Sequence, residues 1–209
     1  FSDLPHTEGL CYMTGEYFAI ASEQGTPKIY YSSFADDVTR FELSEMETII
    51  LDTAWGSSKG LEGIAFDESN NCFYGAREQG VNRGVYQIDF DGTTTKLFGP
   101  IGITDFAGLH YDAGLEAFFI LSQEDQAVYQ TNREGIILSQ KSIGPMTRPE
   151  GITFTSGLER MYIAGEPCEG GYWDSNISGY GCFDRKRYVK ISNAEDLNSD
   201  DFTMIFSCN

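Results

Sequence analysis

Basic residues are scarce in this chain. Fourteen Lys and Arg stand against 32 Asp and Glu among 209 residues, a net charge of −18. A surface of that sign repels phosphate backbones and excludes ordinary nucleic-acid binding, while it suits cations or plain solubility. No apolar run is long enough to cross a bilayer, so no transmembrane segment is expected. Only two histidines are present, His6 and His110, and no Cys-x-x-Cys or His-x-x-x-His spacing points to zinc. Helix-forming stretches are few. Asp36 to Met46 reads as a connection, and the polar, acidic stretch from Asn193 to Asp201 reads as a surface turn.

What is present is ordinary folding material, 41% hydrophobic with 14% aromatic residues, at a length that favours one domain. Phe1 opens the chain without an initiator Met, as in a processed or trimmed product, so a signal peptide would be out of view. Five cysteines are an odd number. Cys168 and Cys182 flank a loop rich in Gly, Tyr and Asn, which also holds the glycosylation pattern Asn176-Ile177-Ser178. A disulfide between them and a sugar on Asn176 would both fit a secreted, cell-surface or periplasmic protein. Cys11 and Cys72 read as thiols on inner strands, and Cys208 could pair with one of them or with a segment out of view, so the pairing of all three is left open.

The organising signal is a repeat. Thr7-Glu8-Gly9-Leu10, Leu61-Glu62-Gly63-Ile64, Phe106-Ala107-Gly108-Leu109 and Pro149-Glu150-Gly151-Ile152 align, with glycines 54, 45 and 43 residues apart. Each copy continues as an alternating apolar run, a polar turn, an aromatic-rich return such as Phe73-Tyr74-Gly75-Ala76, and two further short β-prone runs. Asp91-Gly92 and Glu134-Gly135 fall where the third-to-fourth turn belongs, a position that needs positive φ. Four antiparallel strands per copy make a blade, so an all-β propeller is expected as a single domain, with blades over residues 4–54, 58–100, 103–145 and 147–208. Whether four blades are the whole ring or part of a five- or six-bladed one stays open.

A second position recurs with the repeat. Glu23, Glu78, Gln123 and Glu166 end the second strand of each copy, 14 or 15 residues after the signature glycine. Antiparallel pairing sets the start of the first strand beside the end of the second, so Glu8, Glu62 and Glu150 should meet Glu23, Glu78 and Glu166 at one mouth of the channel. Such an oxygen-rich ring would suit Ca²⁺. The third copy breaks it with Ala107 and Gln123, although Asp105, Glu124 and Asp125 are near. The alternative is architectural: these carboxylates accept backbone hydrogen bonds or pair with Lys59, Arg77 or Arg148. If the module were a metal-assisted lactone or ester hydrolase, His6 would be the candidate base; His110 reads as a packing residue. Tyr172, Trp173, Tyr180 and Phe183 make the Cys168–Cys182 loop a candidate surface for a glycan or a protein partner.

The string Gly60-Leu61-Glu62-Gly63-Ile64-Ala65-Phe66-Asp67, followed by Phe73-Tyr74-Gly75-Ala76-Arg77-Glu78 and Gly84-Val85-Tyr86-Gln87-Ile88-Asp89, resembles the SdiA-regulated (YjiK-like) propellers. More distantly the chain is similar to the gluconolactonase, paraoxonase and NHL-like propellers. The nearer resemblance implies an exported propeller; in the distant group a strand-opening Glu-Gly can belong to a central metal site. Three functions follow as expectations. They are an extracellular binding module whose channel holds Ca²⁺, a Ca²⁺-dependent hydrolase, and an architectural subunit of an extracellular assembly.

Overall fold

A computed structural model describes residues 7–22, 25–33, 43–53, 60–78, 80–144, 146, 148–158, 160–165, 173–174, 179–180, 187–190 and 203–206. Blade 1 comprises β1 (Thr7–Tyr12), β2 (Tyr17–Ser22), β3 (Lys28–Ser33) and β4 (Glu47–Ile50). Blade 2 holds β5 (Leu61–Asp67), β6 (Cys72–Arg77), β7 (Gly84–Ile88) and β8 (Thr94–Phe98). Blade 3 holds β9 (Gly108–Asp112), β10 (Ala117–Ser122), β11 (Ala127–Asn132) and β12 (Ile137–Ser142). In blade 4, β13 (Pro149–Phe154) and β14 (Arg160–Gly165) are followed by a two-stranded ribbon, β15 (Trp173–Asp174) and β16 (Gly179–Tyr180). The blade then continues with β17 (Arg187–Lys190) and β18 (Thr203–Phe206). Each blade is a four-stranded antiparallel sheet in simple up-and-down order. The helical content among the described residues is two single 3₁₀ turns, Leu43–Glu45 and Ser156–Leu158.

Tight hairpins set the strand lengths. Asp67 ends β5 and its carboxylate accepts hydrogen bonds from the Ser69 and Asn70 backbone N–H groups (3.0 and 3.2 Å), from Asn70 Nδ2 (2.7 Å) and from the Tyr74 hydroxyl (3.0 Å). That is an aspartate folding the chain back on itself. The turn glycines have the expected positive φ, +90° at Gly92 and +80° at Gly135. Both also press on the preceding blade. A Cβ on Gly92 would lie 2.1 Å from the Ile50 carbonyl oxygen, and one on Gly135 2.6 Å from the Phe98 ring.

The cores lie between blades, built from alternate residues of facing sheets. Ala19, Ala21, Ile29 and Ile49 meet Leu61, Ile64, Phe73 and Ile88 between blades 1 and 2. Tyr74, Ala76 and Val85 meet Phe106, Leu109, Tyr111 and Phe118 between blades 2 and 3. Phe119, Leu121 and Val128 meet Ile152, Met161 and Ile163 between blades 3 and 4. Removing such apolar surface from water stabilises by about 25 cal/mol per Å², so the blades hold one another by their faces rather than singly. The innermost strands pack in sequence order, β1 on β5, β5 on β9 and β9 on β13, around a channel.

Candidate functional site

The signature that counts blades is also a geometric device. Leu61 lies opposite Arg77 and Gly63 opposite Ala76, so Glu62 is one extra residue in β5. The same slip separates Pro149, opposite Gly165, from Gly151, opposite Ala164, and places Glu150 as the extra residue of β13. In β1 the register slips once between Thr7 and Leu10, around Glu8. In blade 3 the Ala107 N–H bonds to the Leu121 carbonyl (2.9 Å) while Gly108 stands opposite that same residue. Two residues facing one is the arrangement of a β-bulge, a feature that bends a strand and re-aims a side chain. The bulge therefore belongs to the repeat, and a carboxylate is mounted on it in three copies of four.

The following glycine explains why no other residue serves. A Cβ on Gly9 would stand 2.9 Å from the Glu62 carbonyl oxygen and 3.0 Å from Ile64 Cγ2 of the next blade. For Gly63 the encounter is with the Leu109 nitrogen at 2.6 Å, and for Gly108 with the Glu150 carbonyl oxygen at 2.7 Å. Adjacent inner strands thus touch backbone to backbone at the level of the glutamates. Glu62 is buried, Glu8, Glu78 and Glu150 are half-buried, and each has an interacting partner. Arg77 is buried at the end of β6, opposite Leu61, and burial pulls its guanidinium below the usual value. Among the described residues no three His, Cys, Asp or Glu gather as a cation cage. Glu23 and Glu166 lie outside the described residues, as does His6.

Blade 3 shows what its mouth carboxylates do, which the sequence left open. Asp105 is buried and accepts hydrogen bonds from Ser122 Oγ and from the backbone N–H groups of Gln123 and Glu124 (both 3.0 Å). Asp125 reaches the other way and accepts from the Thr104 backbone N–H (2.9 Å), the Thr104 hydroxyl and the Tyr129 hydroxyl (3.0 Å). Burial would push the Asp125 carboxyl up, but these donors outweigh it and hold it below the usual carboxylate range. Both aspartates latch the crossover that enters blade 3 onto the β10–β11 turn. They are structural, and their donors leave the glutamates of the other three blades as the candidate site.

His110 pairs with Phe119 on β10 and stacks near Phe119 and Phe154, with ring centroids at 6.1 and 4.9 Å. Burial pushes its imidazole down to about 4, which makes it a neutral packing residue between blades 3 and 4. A Gly-x-Ser-x-Gly string spans Gly56 to Gly60, between β4 and β5 in chain order, and all of it but Gly60 lies outside the described residues. Cys11 and Cys72 are free thiols on β1 and β6, packed into the interfaces of blade 2 with blades 1 and 3. On the aromatic loop, Trp173 and Tyr180 are register partners of the β15–β16 ribbon. Tyr172, Phe183, Cys168, Cys182, Asn176 and Cys208 lie outside the described residues.

The family model named SdiA-regulated matches residues 1–169. The chain belongs to the SdiA-regulated family. No curated protein matches it in sequence. Among solved structures it is similar to a nidogen/laminin complex (16% identity, TM-score 0.55, 88% of this chain and 60% of that one). It is also similar to a Bacteroides thetaiotaomicron protein of unknown function (14%, 0.53, 86% and 44%). The β-propeller domain of Myceliophteria thermophila Cps50 (Swd1) is a further likeness (11%, 0.55, 96% and 56%). These likenesses share the propeller fold, and the chain spans less than two thirds of each of those chains. No helix among the described residues is long and apolar enough to cross a membrane.

Proposed function

We propose that this SdiA-regulated propeller is an extracellular binding module whose ligand carries positive charge and seats at the channel mouth. One observation carries the reading: in three blades the bulge that opens the innermost strand mounts a glutamate, Glu8, Glu62 or Glu150, at the same end of the channel. A net charge of −18 draws cationic partners toward the protein before contact. Ca²⁺ is the ion such oxygen donors suit, and since no three described carboxylates gather as a cage, it would draw on Glu23 or Glu166 beside Glu8, Glu62, Glu78 or Glu150. The Asn176 pattern and the Cys168 and Cys182 pair support the extracellular placement. The aromatic loop of Tyr172, Trp173, Tyr180 and Phe183 supports a protein or glycan as the larger partner. A lactone or ester hydrolase would need His6 as base, and no described residue favours it; a neighbour from a nidogen/laminin complex at 16% identity lends only its fold.

Thermal melting and titration calorimetry of the whole chain test this, first with Ca²⁺ against chelator and then with Lys- and Arg-rich peptides. Binding that falls at least about tenfold in a Glu8→Gln, Glu62→Gln, Glu150→Gln triple variant is expected. Failure of both Ca²⁺ and the basic peptides to bind, or equal binding by the variant, removes the mouth as the site.

A further inference from the structure

The turns that join the third and fourth strands of blades 2 and 3 are built alike. In blade 2 the Asp89 N–H bonds to the Thr93 carbonyl (3.0 Å) and the Gly92 N–H to the Asp89 carbonyl (2.9 Å). In blade 3 the Asn132 N–H bonds to the Ile136 carbonyl and the Gly135 N–H to the Asn132 carbonyl, both at 3.1 Å. Phe90 and Arg133 are therefore equivalent residues, at the end of the strands opposite the glutamate mouth. Arg133 reaches back over blade 2, where its guanidinium lies 5.8 Å from the centroid of the Tyr74 ring. The Tyr74 hydroxyl donates to Asp67 (3.0 Å), and its ring packs with Tyr111 at 4.6 Å between centroids. At this interface the chain supplies its own cation to an aromatic and carboxylate cluster.

One interface earlier, the turn supplies an aromatic ring where blade 3 supplies the cation. Phe90 packs with Phe73 and Phe66 (centroids at 5.3 and 6.3 Å) and edge-on with Tyr31 of blade 1 (5.8 Å). Met13 and Tyr31 pack there from the blade 1 side. Tyr17, two residues before Ala19 on β2, falls on the same side by strand alternation and is 48% exposed. Met13, Tyr31, Phe66 and Phe90 are half-buried, so the cleft is open to solvent. Carboxylates edge it on both sides. Glu47 accepts from the Tyr31 hydroxyl (2.8 Å), and Glu68 accepts from the Thr14 hydroxyl (2.9 Å), tying the β1–β2 turn to the β5–β6 turn. Both glutamates are exposed, as are Glu16 and Asp91, the chain neighbours of Tyr17 and Phe90. Among the described residues of blades 1 and 2, no Lys or Arg stands at this end of the strands. An aromatic cleft edged by carboxylates, with no cation of its own, is complementary to a cation brought from outside.

We propose that the cleft between blades 1 and 2, lined by Met13, Tyr17, Tyr31 and Phe90, is a docking site for an arginine side chain presented by a partner protein. A planar guanidinium suits it better than an ammonium, because it stacks on a ring and donates to carboxylates at the same time. Arg133 over Tyr74 shows that pairing within the same molecule. The cleft lies at the other end of the channel from Glu8, Glu62 and Glu150, so it stands whether or not the mouth binds cations.

The test titrates the whole chain, with isotope-labelled methionine methyls, with acetyl-Gly-Arg-Gly-amide and with the same peptide carrying citrulline, which keeps the shape and loses the charge. The Met13 methyl resonance is followed. A saturable shift with the arginine peptide and none with citrulline is expected. Tyr17→Ser with Glu47→Gln changes two exposed positions and should weaken binding at least about fivefold. Phe90→Arg gives blade 2 the residue that blade 3 has, and it should abolish binding by filling the cleft from within. The Glu8→Gln, Glu62→Gln, Glu150→Gln triple variant should bind the peptide unchanged at Met13. Absence of a shift overturns the proposal, as does a shift that citrulline reproduces or that the Tyr17 and Glu47 variant keeps. A shift lost in the mouth variant alone would move the ligand to the mouth and overturn it too. A Met13 shift that follows protein concentration without peptide would make a second copy the occupant, and one given by a neutral oligosaccharide in place of arginine would make it a sugar; either overturns the proposal.

Discussion

Gly63 and the backbone nitrogen of Leu109 stand so close that one methyl group on the glycine would come within 2.6 Å of that nitrogen. The neighbour is main chain in the next blade, so no side chain can swing aside to relieve it. Gly63→Ala must therefore part blades 2 and 3 at the channel, where Tyr74, Ala76, Leu109 and Phe118 pack. The expected cost is about 2–3 kcal/mol or more, typical of overpacking against an unyielding wall. Gly151→Ala is the internal control: among the described residues its Cβ would meet Ala164 Cβ alone, at an ordinary 3.5 Å, and it should change the denaturation midpoint little. Equal effects of the two substitutions in urea unfolding would show that close approach is not what the glycine is for.

Much of this was legible because repetition multiplies weak signals. One Glu-Gly-Ile is nothing, but four copies at blade spacing, each followed by short alternating runs and glycine turns, leave few other folds. Both turn glycines, Gly92 and Gly135, have the positive φ their positions required. The role of Asp105 was not legible. In the sequence it stands beside the broken third signature as one more acidic rim residue; in the fold its oxygens are taken by Ser122, Gln123 and Glu124. Only the register of β9 on β10 brings those groups together, and pairing partners 17 to 19 residues away leave no local pattern. The bulge at Glu62 was hidden for a related reason, since an extra residue in one strand is defined by the strand opposite.

Asp105 gives the second prediction. Replacing it by Ala strips acceptors from two backbone N–H groups and the Ser122 hydroxyl at a buried site. A loss of roughly 2–4 kcal/mol is expected, because unsatisfied buried donors keep their desolvation cost. Hydrogen exchange at Gln123 and Glu124 should accelerate selectively. Exchange that rises evenly over the whole chain would mean general destabilisation and not a broken latch.

The thiols supply a third. Burial pushes Cys11 up to about 12 and Cys72 up to about 11, against an ordinary value of 9.0. At neutral or mildly alkaline pH their thiolate fractions then fall by about two to three orders of magnitude, and the thiolate is the reactive form. Pulse labelling with a maleimide followed by peptide mapping should leave both residues unmodified in the native chain and label them fully in denaturant. Rapid native labelling of Cys72 would place it outside the packed interface between blades 2 and 3.

His110 provides the last, and its sign can be worked through. In the folded chain the imidazole titrates at about 4, below the usual 6.5, because burial between blades disfavours the cation more than Asp112 favours it. Above pH 6.5 the ring is neutral folded or unfolded, so it adds no pH dependence there. As the pH falls from 6.5 toward 4 the unfolded chain takes up a proton that the folded chain refuses, and stability is lost across that window. The loss should approach roughly 3 kcal/mol near pH 4. His110→Phe keeps an aromatic ring against Phe119 and Phe154 and removes the titration. Its melting point should match the parent at pH 7.5 and exceed it by an increasing margin from pH 6.5 downward. Parallel curves for the two proteins across that range would show that the ring is accessible to protons in the folded state, and that blades 3 and 4 do not close over it.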